Sequence, residues 1–461
     1  MATGMNRRVF LRTASCAGAS LLVLRDKRSA LSYEANEKLN IAIVGVGSRG
    51  TYHARTILSV GQNLVAICDA NRNRLAELSR IPPEVSRYQD FRKMLDDMDR
   101  RIDAVLVATT DHNHAVVSAA AMKRGKHVFC EKPLAHDVAE ARALRHIARQ
   151  QKVATQMGNQ GMASDSFRRT LELIEEGAVG EVREAHLWFV FGGSGPRQVP
   201  KESVPVPEYL DWDVWLGPAR FRPYHPLWVS EAYGWRDFGT GCLGGGGSHS
   251  INLAFKALNL GALWDAGGEG KASIRVEAET SERCIESFPR WEILRFDIPA
   301  RGPLPPVRMH WYNAPEPELQ RKGIWERLEK IAGRSLEWKD GSWTPRSGTL
   351  LVGSKGVVHT NAHNSSCALL PERDFPDSGG PPRKLPHVES HQEEWFKACK
   401  GRATTLSNFD HAGPAIELLL VGNVATLVGQ TLEFDPVACK VVNNAEADAL
   451  LRPEHREGWS L

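Results

Sequence analysis

The sequence predicts an α/β protein: a doubly wound parallel sheet toward the N-terminus, then a second, α+β domain with an open, mainly antiparallel sheet. Three observations carry the prediction. From Leu39 to Met157, short apolar runs alternate with helix-length stretches, the pattern of parallel strands buried on both faces and joined by crossover helices. A Gly-x-Gly-x-x-Gly run over residues 45–50 stands at the end of the first apolar run. All thirteen tryptophans lie at or beyond Trp188, so the composition changes before the second half of the chain.

The first domain reads in order. Residues 39–46 are almost wholly apolar and form the first buried strand. A helix fits 52–59, a strand 64–68, a helix 71–78 and a strand 104–108. Helix 115–123, strand 127–130, helix 138–149 and strand 153–157 complete the alternation. Residues 37–158 are therefore read as one nucleotide-binding domain. The second domain, residues 159–385, has strand-like pieces at 183–191, 291–297 and 307–311 that fit an open antiparallel sheet. Between residues 196 and 226 stand seven prolines, too many for a regular helix or a central strand. The span 195–240 thus reads as a long ordered insertion. Residues 386–461 hold helical stretches at 393–400 and 416–427, expected to pack back on the first domain, and a tail.

Hydrophobic residues make up 42% and charged residues 25% of the 461, an ordinary soluble balance. The formal charge of +3 arises in residues 1–31, where six arginines and lysines face one aspartate; without them it is −2. The basic balance therefore gives no support to a nucleic-acid partner. Arg7 and Arg8 precede Phe10-Leu11 and an apolar run from Thr13 to Leu24, too short for a stable membrane span. This leader resembles a twin-arginine export signal, so an exported, periplasmic protein is expected. The eight cysteines form no Cys-x-x-Cys pair, and no metal site is expected from them.

Gly45, Gly47, Ser48, Arg49 and Gly50 form a turn between a strand and a helix. Glycines there allow the tight turn and the close backbone approach that bring a pyrophosphate onto the helix N-terminus. Asp69 closes the next strand, 19 residues after Gly50, where a carboxylate accepts hydrogen bonds from an adenosine ribose. The combination predicts a Rossmann domain holding a nicotinamide dinucleotide. Asp69 favours NAD, because a carboxylate repels a 2′-phosphate; Arg72 and Arg74 nearby leave NADP possible.

Ala-Thr-Thr-Asp-His-Asn-His at 108–114, Gly-Lys-His-Val-Phe-Cys-Glu-Lys-Pro at 125–133, Gly-Asn-Gln-Gly at 158–161, Trp-Leu-Gly-Pro at 215–218, Asp-Phe-Gly-Thr-Gly at 237–241 and the tail at 446–459 resemble a Gfo/Idh/MocA-type oxidoreductase. The resemblance implies NAD(P) binding, a sugar, polyol or derivative as substrate, and a homo-oligomer. It implies a catalytic Lys132, with Thr109, His114, Glu131 and Asn159 around the cofactor. It also implies a catalytic His249. Here this chain departs from the family pattern: Gly245 stands where an aspartate is expected, Asn252 replaces a later acid, and Met162 stands where close relatives often have histidine.

Other residues carry competing readings. Asp111, His112 and His114 look like a metal cluster in print but sit at a strand-to-helix turn, and no metal is expected. Trp212, Trp215, Trp228, Trp235, Tyr224 and Tyr233 either stack on sugar faces or anchor the inserted loop. Arg168 and Arg169 face either substrate or solvent. Adjacent Ser248 and His249 do not make a nucleophile–base pair. Three functions fit: an NAD-dependent sugar or polyol oxidoreductase; an exported glycosidase or eliminase that recycles bound NAD; and a non-catalytic relative that still holds NAD.

Overall fold

In the computed structural model, residues 38–77, 81–266, 272–339, 341, 344–375 and 382–461 are described. The leader, with Arg7 and Arg8, lies outside them. The apolar runs of the first domain become β1 (Asn40–Val44), β2 (Asn63–Cys68), β3 (Ser86–Tyr88), β4 (Ala104–Val107), β5 (His127–Cys130) and β6 (Thr155–Met157). They form one sheet in the order β3-β2-β1-β4-β5-β6, every pairing parallel. The strand order reverses at β1 and β4, which opens a crevice beyond their C-terminal ends where ligands of such sheets sit.

Two elements of the first domain escape the sequence reading for physical reasons. β3 is a three-residue edge strand with an exposed Arg87, so it lacks the apolar run that marks a central strand. The helix Phe91–Met98 that follows buries Phe91, Met94, Leu95 and Met98, a clean helical spacing, and the Asp90 carboxylate caps it by accepting from Arg92 N. The first helix starts at Ser48 rather than 52, since its opening turn is the glycine-rich loop itself.

The second sheet has nine strands: β7 (Val182–Phe189), β8 (Ile274–Thr280), β9 (Glu292–Ile298), β10 (Val307–Asn313), β11 (Gly348–Gly353), β12 (Val357–Asn361), β13 (Cys367–Leu370), β14 (Leu432–Asp435) and β15 (Lys440–Val441). Their order is β13-β12-β11-β7-β10-β9-β8-β14-β15. All neighbours run antiparallel except β7 and β10 at the centre, which are parallel. One face packs on the helices Gly247–Ala257 and Phe409–Val428 through Ala185, Leu187, Phe296 and Leu419. The other face is covered in part by the helices Glu316–Arg321 and Ile324–Ala332, over Trp188, Tyr312 and Leu350.

Phe409–Val428 begins well before residue 416 and carries Pro414 inside it. It is long and apolar enough to cross a membrane, yet 89% of its apolar window is buried in the protein, so it serves as the core helix between the two sheets. The helix His391–Cys399 returns to the first sheet, where Trp395 meets Phe129 with ring centroids 5.6 Å apart.

Candidate active site

The loop after β1 takes the conformation its glycines permit. Gly45 has φ +87°, and a Cβ there would lie 2.4 Å from the Ala108 carbonyl oxygen. A Cβ on Gly50 would lie 1.9 Å from the Gly45 oxygen, so the helix packs against the turn only if that residue is glycine. Asp69 ends β2 with both carboxylate oxygens engaged: Oδ2 accepts from Val46 N at 2.9 Å and Oδ1 from Asn71 N at 2.9 Å. Each oxygen retains a lone pair for a ligand hydroxyl. Arg74 stands 3.7 Å from the same carboxylate.

These residues open onto a cleft of about 590 Å³ at the strand-order reversal, lined by Gly45, Gly47, Ser48, Arg49, Asp69 and Thr109. Its size falls in the ordinary range for cofactor sites. The inserted segment supplies the opposite wall: Tyr209, Trp215, Tyr224 and Tyr233 line the same cleft. It is fastened beside Asp69, for Arg72 N donates to Tyr209 O at 2.8 Å and Asp211 N to Ala70 O at 2.9 Å. Gln89 Nε2 also donates to both carbonyls, of Ala70 and of Tyr209. Trp212 stacks on Trp215 at 4.8 Å, and Trp228 meets Trp235 at 4.7 Å. Trp212, Trp215, Tyr224, Trp228 and Trp235 anchor the segment in its own small core, and of these Trp215 and Tyr224, with Tyr233, also border the dinucleotide cleft.

Gly50, His114, Glu131, Lys132 and Asn159 do not line that cleft; they build what lies around it. Glu131 accepts from Arg49 Nη2 at 2.6 Å and bonds His53 Nε2 at 2.7 Å, so the glycine loop is tied to the segment bearing Lys132. Burial opposes the charge of Glu131, but His53 and Arg49 hold its carboxyl well below the usual range. His114 is buried with Nδ1 2.5 Å from Pro133 O and Nε2 3.2 Å from Thr109 O. Burial alone would lower its pKa, but Cys130, Asp111 and the Pro133 carbonyl raise it to about 10. A protonated ring can donate to both carbonyls, so His114 holds Pro133, the residue after Lys132, in place. Asp111 accepts from Thr240 Oγ1 at 2.8 Å, and His112 Nε2 sits 2.8 Å from Trp215 O. Both fasten the inserted segment, in keeping with their structural reading.

The reactive corner is assembled by the run Gly244 to His249, split between the helices Gly241–Gly245 and Gly247–Ala257. A Cβ on Gly244 would strike Thr240 at 2.3 Å, but one on Gly245 would meet only Lys132 Nζ, at 3.9 Å. The space where the family aspartate would project thus borders Lys132 directly. Among the described residues, Lys132 Nζ makes no hydrogen bond or ion pair. His249 is 6% exposed and its Nδ1 has no hydrogen-bond partner among the described residues. Burial, then the charges of Lys132 and His363, hold its ring uncharged, well below the ordinary 6.5.

Asn252 has a definite task. Its Nδ2 donates to the Ser248 and His249 carbonyls at 2.8 Å each, and its Oδ1 accepts from Asn159 Nδ2 at 2.7 Å. Asn252 and Asn159 fix the turn bearing His249 from behind, in a buried network, and neither opens onto the cleft. Ser248 Oγ is spent on Gly245 O. Arg168 is buried against Glu394 Nη2-to-Oε1 at 2.6 Å, which ties the second domain to the C-terminal helix, and Arg169 pairs with Glu172 at 3.2 Å. His363, whose ring centroid lies 4.5 Å from that of His249, was not foreseen: it sits in an irregular turn between β12 and β13 with no motif around it.

A model of the Gfo/Idh/MocA oxidoreductase family, described as its NAD-binding Rossmann fold, matches residues 39–159, and the model of that family's C-terminal α/β domain matches residues 183–293. Myo-inositol 2-dehydrogenase of Thermotoga maritima is 28% identical over 144 residues, covering 31% of this chain and 42% of the relative. A glycosyl hydrolase family 109 protein of Saccharopolyspora erythraea is 28% identical over 204 residues, 38% of this chain and 44% of the relative. The matches thus span less than half the length of these curated relatives. The crystal structure of the WlbA dehydrogenase of Bordetella pertussis, in complex with NADH and UDP-GlcNAcA, superposes with a TM-score of 0.55 at 15% identity, covering 86% of this chain and 98% of that one. It shares the fold.

Proposed function

The chain belongs to the Gfo/Idh/MocA oxidoreductase family, and from that premise we propose that it moves a hydride between NAD and a secondary hydroxyl of a sugar, polyol or derivative. The carrying observation is the corner where Lys132 Nζ borders the open space at Gly245 and His249 stands uncharged alongside. When bound, the dinucleotide supplies the hydride acceptor or donor. Gly45, Ser48 and Arg49 would hold its phosphates and Asp69 its adenosine ribose, which favours NAD over NADP; Arg74, 3.7 Å from that carboxylate, could soften the preference.

Oxidising a secondary alcohol requires its hydroxyl proton to leave, so donor and acceptor groups must lie within hydrogen-bond reach of that oxygen. Lys132 Nζ, with no hydrogen bond or ion pair among the described residues, is free to hold the oxygen. A neutral His249 has a lone pair that can take the proton on. Asn252 secures the turn bearing His249, and the Glu131 carboxylate braces the segment bearing Lys132. Homologous inositol dehydrogenase supports a polyol or sugar as the substrate class. Assay of the full chain with NAD and a panel of sugars and polyols tests this: NADH accumulation with at least one of them is expected, and none with any would overturn it.

A second reading is that bound NAD is oxidised and restored within one turnover while a glycosidic bond is cleaved. Two observations favour it: the fastened segment 207–235 across the cleft, which suits a retained cofactor, and the likeness to a family 109 glycosyl hydrolase. Arg7 and Arg8 of the leader support export to the periplasm, where replacement NAD is scarce. A homo-oligomer belongs to the same proposal. Aryl glycoside cleavage without NADH accumulation would select this second reading, and loss of both activities with cofactor retained would point to a non-catalytic NAD-holding protein.

A further inference from the structure

β7 and β10, the parallel pair at the centre of the nine-stranded sheet, bring three metal-binding groups onto its outer face. His310 is directly opposite His186 in the register, and Glu184 precedes His186 by two residues, so all three side chains share one face. Glu184 Oε1 lies 3.3 Å from His186 Nε2 and 3.6 Å from His310 Nε2. The three ligand atoms all fall within 4.8 Å of one another. None of these residues lines the dinucleotide cleft.

Both imidazole nitrogens are orphans. His186 Nε2 and His310 Nε2 are buried and, among the described residues, have no hydrogen-bond partner, although the Glu184 carboxylate is near. A buried polar atom left unpaired carries a desolvation cost that native structures rarely leave unmet. The His186 side chain is fully buried and its other nitrogen, Nδ1, lies 3.0 Å from the Tyr312 hydroxyl. If Nδ1–H donates there, the Nε2 lone pair is turned toward Glu184, as in histidines that bind metals through one nitrogen and are oriented through the other.

We propose that Glu184, His186 and His310 form a zinc-type divalent cation site, distinct from the proposed oxidoreductase centre. A tetrahedral zinc ion with ligand bonds near 2.0–2.1 Å places its ligand atoms roughly 3.3 Å apart, close to the separations from Glu184 to the two rings. Two imidazoles and one carboxylate select zinc, cobalt or nickel over magnesium or calcium, which prefer all-oxygen sets. Both rings are held neutral, the form a ligand requires: burial and then neighbouring His310 and Arg327 bring His186 to about 3, and burial with Arg327, Arg308 and Arg295 brings His310 to about 4.

Arg327, on the helix Ile324–Ala332, donates to the same Glu184 oxygen at 2.6 Å. It competes with the cation for that oxygen, and its own side chain is more than half exposed, so it can withdraw to solvent. Glu184 is 31% exposed, so water could supply a fourth ligand. Bound there, the ion would clamp the two parallel strands and bear no part in hydride transfer.

Titration of the full, metal-stripped chain with Co(II), read by visible absorption, and with Zn(II), read by elemental analysis after dialysis, tests the proposal. One equivalent per chain is expected, with affinity reduced at least tenfold in His310→Gln and in Glu184→Gln and equal or tighter in Arg327→Gln. Far-UV circular dichroism identifies any variant that fails to fold, and the remaining variants decide. No retained metal in the wild type, or affinity unchanged in folded His310→Gln and Glu184→Gln, overturns it.

Discussion

At the scale of single residues, Gly245 and Lys132 define what is particular to this chain. A carboxylate at residue 245 would sit beside Lys132 Nζ, because the direction of its Cβ is open and leads to that atom alone. Gly245→Asp is therefore expected to fold normally and to compete with substrate for Lys132. One charged hydrogen bond lost to substrate is worth about 1.5–3 kcal/mol, so KM should rise roughly tenfold or more; steady-state kinetics that leave KM unchanged would mean Lys132 does not touch substrate. Lys132 and the glycine loop stand in motifs of fixed spacing, which is why the sequence offers them as candidates, whereas His249 is a candidate only through the family resemblance, in a stretch that departs from the family pattern at Gly245 and Asn252. His114 and Asn159 were legible as important but not as to role. Both stand near the cofactor in sequence, and the fold turns their side chains into buried networks, with His114 on Pro133 O and Asn159 on Asn252.

At the scale of elements, the inserted segment matters most. Its seven prolines and clustered tryptophans announced an ordered loop, but only three-dimensional placement shows that Tyr209, Trp215, Tyr224 and Tyr233 form a wall of the dinucleotide cleft. The contacts that bring it there pair residues more than 100 apart, such as Arg72 with Glu208 and His112 with Trp215, and no local pattern encodes such a pairing. NAD held in this cleft would lie against this wall, whose aromatic side chains should then slow its release. Replacing Tyr224 and Tyr233 together by alanine should speed NAD dissociation at least tenfold, measured by competitive displacement and fluorescence; an unchanged off-rate would make the segment a bystander. The parallel β7–β10 pairing was likewise beyond reach of the sequence, since alternation marks a strand without saying which neighbour it takes.

At the scale of the whole molecule, several buried histidines are held neutral. Burial brings His112 and His391 to about 4 and His359 to about 3, alongside His186 and His310. An unfolded chain would protonate these rings near 6.5, so the unfolded state binds more protons below that pH. Their contribution to stability is present above about 6.5 and is lost as pH falls from there toward 4. His114, raised to about 10, runs the other way: its contribution is present below about 6.5 and is lost as pH rises through about 10. Thermal unfolding should therefore shift steeply to lower temperature between pH 6.5 and 5, with uptake of more than one proton on unfolding; a flat profile in that window would contradict the buried neutral rings. The doubly wound sheet itself was legible because buried parallel strands are apolar end to end, as all four residues of β4 are.

The most direct test of the central claim is a single turnover. Full chain loaded with NAD, mixed with an accepted sugar or polyol and followed at 340 nm, should show reduced cofactor forming at close to one equivalent per chain. The signal persists if NAD is a substrate and decays if it is recycled. In Lys132→Ala the rate should fall by about 10²–10⁴. Formation of reduced cofactor at an unchanged rate in Lys132→Ala, or product release with no reduced cofactor at any time, would contradict the account.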